Sequence, residues 1–495
     1  CEKEYYKQFK KTRSMEAVNM KISYNNNKNI NHQYISDYST YKAYQELEKY
    51  YGPYELFTKV TTYFRSVNEL PSYIGKGVYS NIDFIIQNIS NSTSFNPNLS
   101  QSLFGGGKGG SFSKVLISTL GEMFERIIGA LSYYEDKEDF IYGSYEDLSK
   151  EKDLLNPENM KIFADEQYNT KDFNFLPFKK NTPIRWVRGS YWISNKNIWV
   201  PAQLVYIFFP FEVENEKKIG YSTSGGLSLH DNENLALYHG ITECIERDQI
   251  NLRWYNKIPP DSIPYSKVKF SEFGQNIIDE SNKNNTVLRS QYHNLDLHEY
   301  PVVTSTSFDK NLTKFSFCAG GGVGSDLSSA LESSFKEYGH SELNLKSLFY
   351  NPNWYSSKSM IELFGFEEFD IDNMQLFYEI VPFYGLKKNR NKLDWYLESD
   401  KKYQIKNSNE KGNEIERLRA VLSKNNIDPI IFDMTPLGFN YIKLMKSYIP
   451  DLTQAFLPNS PCLGHRRFYE TAFKNGYIDK KLEYSDLNNE PLPFP

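Results

Sequence analysis

The chain has 495 residues, of which 39% are hydrophobic and 16% aromatic, and its formal net charge is −5. This length calls for one large domain or two to three smaller ones, and the small charge, without a basic run or zinc-finger spacing, predicts no nucleic-acid partner. The cysteines form no Cys-x-x-Cys pair and no apolar run reaches the ~18 residues of a membrane helix, so we expect a cytoplasmic protein without a disulfide framework, structural zinc or a membrane span.

The predicted elements interleave strands and helices. Residues 1–50 are polar and are predicted to form an N-terminal extension, and residues 51–495 the main domain. The elements expected in chain order are strands within 57–64 and 82–86, a loop over 92–104, strands within 184–209, a helix over 414–422, and strands over 429–432 and 441–447. This interleaving favours an α+β fold in which helices cover the sheets.

Three glycine clusters each precede an amphipathic stretch that contains glutamates. The clusters are residues 105–110, 224–226 and 320–324. The first and third copies keep the same count, because Gly107 to Glu122 and Gly322 to Glu337 are both fifteen residues. The recurrence predicts three related helices, each placed directly after a glycine-rich segment.

The acids of the first two copies recur at helical spacing. Glu122 and Glu125 follow Ser118 on one helix face, and Glu243 and Glu246 share a face of the second helix. Two helices that each present paired carboxylates can converge on Mg²⁺, which prefers oxygen ligands together with substrate phosphates. The glycines would let the backbone approach a polyphosphate closely. The pattern therefore predicts a nucleotide–magnesium site.

A simpler interpretation stands beside this one. Any single Glu-x-x-Glu-Arg copy is typical of a solvated helix face, where such pairs are worth a few tenths of a kcal/mol. Apolar neighbours such as Leu120, Phe124 and Ile241 argue instead for buried helices, in which paired carboxylates need cations. His239 and His340 are candidates for proton transfer or for ordinary hydrogen-bonded helix histidines.

The common nucleotide-binding motifs do not account for the glycines. The first cluster satisfies Gly-x-Gly-x-x-Gly, but the composition of residues 96–102 before it does not predict the strand that a dinucleotide fold requires. Lys108 is followed by Gly109 and not by Ser or Thr, so there is no Walker A loop. The kinase motifs His-Arg-Asp and Asp-Phe-Gly and the hydrolase motif Gly-x-Ser-x-Gly are absent.

Four stretches are the most distinctive, at residues 107–126, 182–206, 224–248 and 491–495. The first reads Gly-Lys-Gly and later Ser-Thr-Leu-Gly-Glu-Met-Phe-Glu-Arg, the third contains His-Gly-Ile-Thr-Glu-Cys-Ile-Glu-Arg-Asp, and the last is Pro-Leu-Pro-Phe-Pro. Jointly they resemble the YcaO superfamily, whose members activate peptide backbone amides with ATP. The second and fourth resemble its azoline-forming peptide cyclodehydratases, the D proteins of thiazole and oxazole peptide biosynthesis. The likeness spans roughly residues 50–495 and implies a YcaO-like fold with three related segments around a nucleotide site.

The resemblance also implies the cofactors, ATP and Mg²⁺, and the residues that hold them. The implied magnesium ligands, which are also cofactor-binding residues, are Glu122, Glu125, Glu243, Glu246 and Glu337. Ser118 and Arg247 match the family's nucleotide and phosphate contacts, and Arg247 and the carboxylate of Pro495 are the implied catalytic groups.

Four positions depart from the family's pattern. Asp231 stands where many members have Asn, and Leu235 where a Glu is usual. Ser333 replaces an Arg, and His340 replaces the Gln of the third signature. These changes remove one cation and one acid together, so they either leave the local charge balanced or weaken the site.

The implied activity is cyclodehydration of Cys, Ser or Thr in a ribosomally made precursor peptide, such as a bacteriocin precursor. The resemblance implies a homodimeric catalytic subunit, a leader-binding, E1-like partner protein and, where rings are oxidised to azoles, a flavin dehydrogenase. A thioamide-forming enzyme and a degenerate, non-catalytic scaffold are the alternatives; the Pro-x-Pro-x-Pro end disfavours the first, and Leu235 and Ser333 support the second. Because a terminal tripeptide contributes little core, removal of residues 493–495 is expected to suppress ring formation and leave the fold intact.

Overall fold

The computed structural model describes residues 38–62, 70, 73–80, 105–109, 112–136, 140–171, 173–211, 213, 216–284, 286–309, 316–350, 380–404, 413–458 and 460–494. The predicted strand within 82–86, the predicted loop over 92–104 and most of the predicted N-terminal extension lie outside these residues. Within them, no helix is long and apolar enough to cross a membrane.

Helices and strands are interleaved along the described chain. The helices are α1 Tyr38–Leu47, α2 Phe112–Asp136, α3 Tyr145–Leu148, α4 Asp165–Tyr168, α5 Glu233–Tyr255, α6 Glu272–Lys283, α7 Leu327–Tyr350, α8 Ile380–Tyr384, α9 Asp394–Leu397, α10 Glu414–Lys424 and α11 Arg467–Lys474. The strands are β1 Phe57–Thr62, β2 Tyr73–Tyr79, β3 Gly106–Gly109, β4 Ile141–Gly143, β5 Ile184–Tyr191, β6 Asn197–Pro201, β7 Leu227–His230, β8 Asp261–Ser262, β9 Val287–Tyr292, β10 Val302–Phe308, β11 Phe317–Val323, β12 Ile430–Asp433 and β13 Lys443–Tyr448.

The strands form three antiparallel sheets. One has the order β1-β2-β3, the second β11-β10-β9-β8, and the third β4-β5-β12-β13-β7 with β6 paired to β5. The predicted α+β class, with sheets covered by helices, is confirmed. The helix predicted over 414–422 and the strands predicted over 429–432 and 441–447 are α10, β12 and β13, with bounds shifted by one or two residues.

The three predicted glycine-linked helices exist, and they bring the sheets together. Each directly follows a strand, α2 after β3, α5 after β7 and α7 after β11. The three-stranded sheet lies between α2 and α7, the four-stranded sheet between α7 and α5, and the six-stranded sheet contacts both α5 and α2. The three sheets are therefore connected through α2, α5 and α7, the helices that carry the predicted glutamates.

Gly107 of β3 and Gly322 of β11 lie where the backbone of the following helix packs against the strand. A Cβ atom on Gly107 would lie 2.4 Å from the backbone N of Thr119, and one on Gly322 would lie 2.3 Å from that of Ser334. The equal spacing in the sequence thus reflects the same strand-to-helix contact in two units. At these two glycines the space of a side chain is therefore occupied by helix backbone, while the predicted close approach of the glycine backbone to a polyphosphate stays a prediction.

This contact predicts a contrast between two Gly→Ala substitutions. Gly107→Ala places a methyl group against fixed helix backbone, so the free energy of unfolding should fall by at least about 2 kcal/mol. Gly121→Ala meets only Leu229 Cδ2, at 3.8 Å, and replaces a helix-interior glycine, so it should raise that free energy by about 0.5–1 kcal/mol. Urea unfolding of both variants measures the difference, and a Gly107→Ala protein as stable as the parent would contradict the contact.

Part of the predicted N-terminal extension is folded onto the main domain. Ala43 and Leu47 of α1 are buried in a cluster with Leu120 and Phe124 of α2. The Glu46 carboxylate accepts hydrogen bonds from the backbone N–H groups of residues 440 and 441, at 2.9 and 3.0 Å. A boundary at residue 50 therefore separates α1 from the helix against which it packs.

Candidate functional site

The α2 acids lie in a partly buried cluster with Arg126. Its guanidinium is 3.4 Å from Glu122 Oε1 and 3.6 Å from Glu125 Oε1. The second oxygen of Glu125 accepts a hydrogen bond of 3.2 Å from the backbone N–H of Leu229. Leu229 belongs to β7, so this bond joins α2 to the six-stranded sheet. Burial, with added repulsion from Glu122 and Glu243, raises the pKa of Glu125 to about 8 against the opposing effect of Arg126. The raised pKa means that the charged form of Glu125 is unfavourable in the protein alone. A cation bound beside it would stabilise that charged form.

The α5 acids are positioned by the second glycine cluster. Glu243 Oε2 accepts a hydrogen bond from the N–H of Gly226 at 3.0 Å, and Gly226 has a φ of +77°, which favours glycine. The amine of Lys446 donates to the carbonyl oxygens of Thr223 and Gly225 at 2.8 and 2.7 Å, which ties the same turn to β13. Burial lowers the pKa of Lys446 to about 8. The turn therefore orients Glu243, and a buried cation holds the turn.

Glu246 reaches the four-stranded sheet at a glycine. A Cβ atom on Gly321 would lie 2.5 Å from Glu246 Oε1, so only glycine leaves room for this carboxylate. Burial, with repulsion from Glu243, raises the pKa of Glu246, while Arg247 and Lys108 oppose the shift. This glycine of the third cluster therefore faces the acids, although its neighbours in β11 face α7.

Lys108 of β3 lies among the acids of all three helices. Its amine forms an ion pair with Glu337 of α7, and Glu122, Glu246 and Glu243 all act electrostatically to favour its charged form. Burial nonetheless lowers the pKa of Lys108 below its ordinary value. The five acids predicted from the sequence thus come from three helices that meet around one lysine.

The donor set fits Mg²⁺ with nucleotide phosphates. The predicted ligands offer oxygen atoms alone, which is the chemistry that Mg²⁺ prefers. Among the residues that the structure describes, no three His, Cys, Asp or Glu side chains form a ready-made metal-binding group. Since Mg²⁺ usually takes part of its coordination from phosphates and water, acids spread around a lysine match a site that is completed by its nucleotide.

The predicted phosphate contacts line the same region. Arg247 Nη2 lies 3.8 Å from Glu243 Oε1, and Arg247 borders a narrow cavity together with Thr223, Cys244 and Lys446. The hydroxyl of Ser118, one turn before Glu122, donates to the carbonyl oxygen of Val115 at 3.1 Å.

The four departures from the family's pattern lie in different surroundings. Asp231 accepts a hydrogen bond from Thr40 of α1 at 2.9 Å, and Leu235 is 37% exposed in the first turn of α5. Ser333 packs against Gly322 of β11, where a Cβ atom on the glycine would lie 2.9 Å from the Cβ atom of Ser333. Of these four residues, His340 is the one on which Lys108 acts electrostatically.

His340 packs against the glycine face of β3. Its Cε1 atom lies 3.0 Å from the position of a Cβ atom on Gly106. Burial, with repulsion from Lys108 and Lys76, lowers the pKa of His340 to about 3. The imidazole is therefore neutral at physiological pH, which disfavours a role as a charged proton donor.

This depressed pKa predicts an acid sensitivity that His340→Gln should relieve. In the unfolded chain the imidazole takes up a proton near pH 6.5, but the folded chain resists it, so unfolding becomes easier as the pH falls below 6.5. Between pH 7 and pH 5 the histidine should cost about 2 kcal/mol of folding free energy. Urea unfolding at both pH values should show a loss smaller by that amount in the His340→Gln protein, and equal losses in the two proteins would contradict the assignment.

Two groups near the site were missed by sequence reasoning. Lys446 belongs to the predicted strand over 441–447, where nothing local distinguishes it from Lys443. Lys76 of β2 pairs with Gly106 of β3 across the sheet, and burial lowers its pKa. Both are placed by pairing between strands far apart in the chain, which a motif search does not detect.

The C-terminal segment is part of the core, which corrects one expectation. Phe494 is 2% exposed and belongs to the largest buried cluster, so the tail does contribute to the core. Pro495, which the resemblance implies as a catalytic group, lies outside the described residues. The hydroxyl of Tyr384 donates to the carbonyl oxygen of Pro491, and Trp254 Nε1 donates to that of Glu490 at 2.9 Å.

The family sequence profile described as YcaO cyclodehydratase, ATP- and Mg²⁺-binding, matches residues 106–453. The match covers more than half of the chain and includes all five acids, so this protein belongs to the YcaO family, and ATP and Mg²⁺ are the cofactors of that family. No curated protein sequence matches significantly.

Solved structures share the fold at low sequence identity. A heterocyclase in complex with substrate and cofactor aligns with a TM-score of 0.71 and 16% identity, over 92% of this chain and 57% of that one. YcaO from Methanopyrus kandleri, bound with AMPPCP and Mg²⁺, gives 0.54 and 13% over 84% and 90%. The Escherichia coli microcin synthetase McbBCD complex gives 0.54 and 15% over 88% and 97%. The chain therefore spans little more than half of the first of these proteins and most of the other two.

Proposed function

We propose that this protein is the catalytic subunit of a peptide cyclodehydratase that forms thiazoline or oxazoline rings with ATP. The observation that carries the proposal is the convergence of acids from three helices around Lys108: Glu122, Glu243, Glu246 and Glu337 act on this lysine, and Glu125 lies beside Glu122 and Glu243. Family membership supports the use of ATP and Mg²⁺. The Pro-x-Pro-x-Pro segment, which resembles that of azoline-forming members, favours ring formation over thioamide formation.

In the proposed reaction, a Cys, Ser or Thr side chain of the precursor peptide adds to the preceding backbone carbonyl carbon. The attacking side chain loses its proton, and the resulting oxyanion takes the γ-phosphoryl group of ATP with release of ADP. Loss of the amide proton and cleavage of the C–O bond then release phosphate and leave the C=N bond of the ring. An amide oxygen is a poor leaving group, and phosphorylation converts it into a phosphate, which leaves readily. Mg²⁺ held by the acids would neutralise charge on the transferred group.

The chain's own cations have separate tasks in this proposal. Arg247, which is held near Glu243, would orient the transferring phosphoryl group with its planar donors. Lys108 would exchange its ion pair with Glu337 for a phosphate oxygen when the nucleotide arrives. Lys446 would keep the Gly225–Gly226 turn in place, and through it the carboxylate of Glu243. Pro495 would supply or orient a base for the attacking side chain.

Partners follow from the same proposal. The McbBCD structure is a multi-protein complex, one form of which has pro-MccB17 bound. We infer that this chain also works in a complex, with an E1-like protein that binds the peptide leader, as a homodimer, and with a flavin dehydrogenase where azoles are made. Pull-down of co-expressed partners with this chain tests the inference.

Mass spectrometry of a candidate precursor peptide tests the activity. Incubation with the protein, its partner, ATP and Mg²⁺ should remove one water per ring formed, with one phosphate released for each. Replacement of each Cys, Ser and Thr in the peptide by Ala is the matched control. A peptide of unchanged mass under conditions in which the protein binds ATP and the peptide would contradict the proposal.

The second candidate is a non-catalytic scaffold that binds partner and peptide. Its support is the exposed Leu235, which stands where the family has an acid, together with Ser333. The two candidates differ in their nucleotide binding, since a scaffold needs no Mg²⁺-dependent affinity for ATP.

A further inference from the structure

The last described residue of the tail is enclosed by two polar rings. The ring centroid of Phe494 lies 6.4 Å from that of His293, at 82°, and 6.0 Å from that of Tyr396, at 50°. The hydroxyl of Tyr396 lies 3.1 Å from Nε2 of His293. His293 and Tyr396 are both 0% exposed, so the tail ends against a buried polar pair and not only against aliphatic side chains.

A hydrogen-bond chain continues from this pair into the four-stranded sheet. His293 Nε2 lies 2.8 Å from Thr304 Oγ1, and the Thr304 hydroxyl donates to Gln291 Oε1 at 3.4 Å. The imidazole of His293 therefore lies between the hydroxyl groups of Tyr396 and Thr304, both within hydrogen-bonding distance of Nε2. Burial and the nearby Arg253 hold the pKa of His293 well below its ordinary value, so it acts here as a neutral hydrogen-bonding group.

The chain of contacts leads directly to the acid cluster. Thr304 of β10 pairs with Gly321 of β11, and Gly321 is the glycine whose missing side chain makes room for Glu246. A second connection runs through α5, which carries Glu246 and, eight residues later, Trp254. Trp254 holds the backbone of Glu490 and packs on Tyr396, with centroids 5.2 Å apart. The tail is thus fixed to the same two elements that place Glu246.

We propose that His293, Tyr396 and Thr304 form a seat for residues 490–494, and that ring formation requires these residues to be held there. In this role they are positioning residues and do not touch the substrate. The inference rests on the proposed function, since it assigns these residues to the same reaction. The hydrogen bonds among His293, Tyr396 and Thr304 fix the orientation of the two rings against which Phe494 packs, which apolar side chains at these positions would not do.

Three readouts distinguish a seat from an ordinary core contact: tail mobility, nucleotide affinity, and the split between kcat and KM. Tyr396→Phe keeps the ring contacts and removes one hydroxyl, and His293→Gln removes the ring but keeps a polar side chain beside Thr304. The matched control is Tyr265→Phe, which removes a part-buried hydroxyl that lies 2.8 Å from the Ser290 hydroxyl of β9, a strand of the same sheet.

In both seat variants, hydrogen–deuterium exchange should rise in peptides covering 488–494 and stay unchanged in α2 and α7. The kcat for ring formation should fall at least about tenfold, while the peptide KM and the affinity for Mg²⁺–AMPPCP stay within about twofold of the parent values. Tyr265→Phe should change none of these.

Unchanged exchange at the tail, or ring formation at the parent rate, would overturn the seat. A loss of kcat with a matching loss of nucleotide affinity would also overturn it, because it would indicate general unfolding. If the parent protein forms no ring at all, the proposed function fails, and the exchange measurement alone still decides whether His293 and Tyr396 hold the tail.

Discussion

Glu243→Gln and Glu246→Gln are each expected to lower ring formation at least about a hundredfold, a loss of roughly 2.7 kcal/mol in transition-state stabilisation. Each change removes a negative charge from the face of α5 that meets Lys108 and leaves the side-chain shape almost unchanged. In Glu243→Gln the new amide oxygen would still accept the hydrogen bond from Gly226, so the fold should be retained. The measurement is the rate of water loss from the peptide at saturating ATP and Mg²⁺.

Glu233→Gln is the matched control for these variants. It lies in the exposed first turn of the same helix, so its removal should leave the rate within about twofold. Near-parent turnover in both Glu243→Gln and Glu246→Gln, with melting temperatures unchanged, would sink the assignment of the acids.

Phe494→Ala is expected to lower the free energy of unfolding by about 3–5 kcal/mol, the usual cost of deleting a buried aromatic ring. The side chain is 2% exposed and packs against His293 and Tyr396, so its loss leaves a cavity beside these two rings. Phe494→Leu keeps most of the apolar volume and should cost no more than about 1.5 kcal/mol. Denaturant unfolding compares the two.

Two deletions in the C-terminal segment distinguish an effect on ring formation from an effect on stability. Deletion of residues 493–495 should abolish ring formation and also destabilise the protein, because it removes Phe494. Deletion of Pro495 alone should suppress ring formation while the melting temperature and ATP affinity stay near the parent values. If the protein without Pro495 forms rings at the parent rate, the last residue has no part in the reaction.

The glutamate helices could be predicted from the sequence because their signals are local. Acids three residues apart on apolar helices, each behind glycines, identified α2 and α5, and the repeated count of fifteen residues identified α7 as their counterpart. That these helices meet around one lysine follows from packing between sheets, which no spacing within the chain encodes.

The role of the glycines was harder to predict, because glycine serves several purposes. Gly107 and Gly322 admit helix backbone, Gly321 admits a carboxylate, and Gly226 supplies a left-handed turn. The sequence shows a glycine cluster in each case, and only the group that packs against each glycine in the fold distinguishes the three purposes. Lys446 and His293 were missed for a related reason, since their partners lie more than ten residues away in the chain.

Calorimetric titration with AMPPCP, in the presence and absence of Mg²⁺, tests the central claim most directly. The converging acids predict binding at micromolar to millimolar concentrations that requires Mg²⁺, and at least about tenfold weaker binding in Glu122→Gln and Glu246→Gln. Glu233→Gln should bind like the parent protein. The absence of Mg²⁺-dependent binding in the folded parent protein would contradict the assignment of a nucleotide–magnesium site.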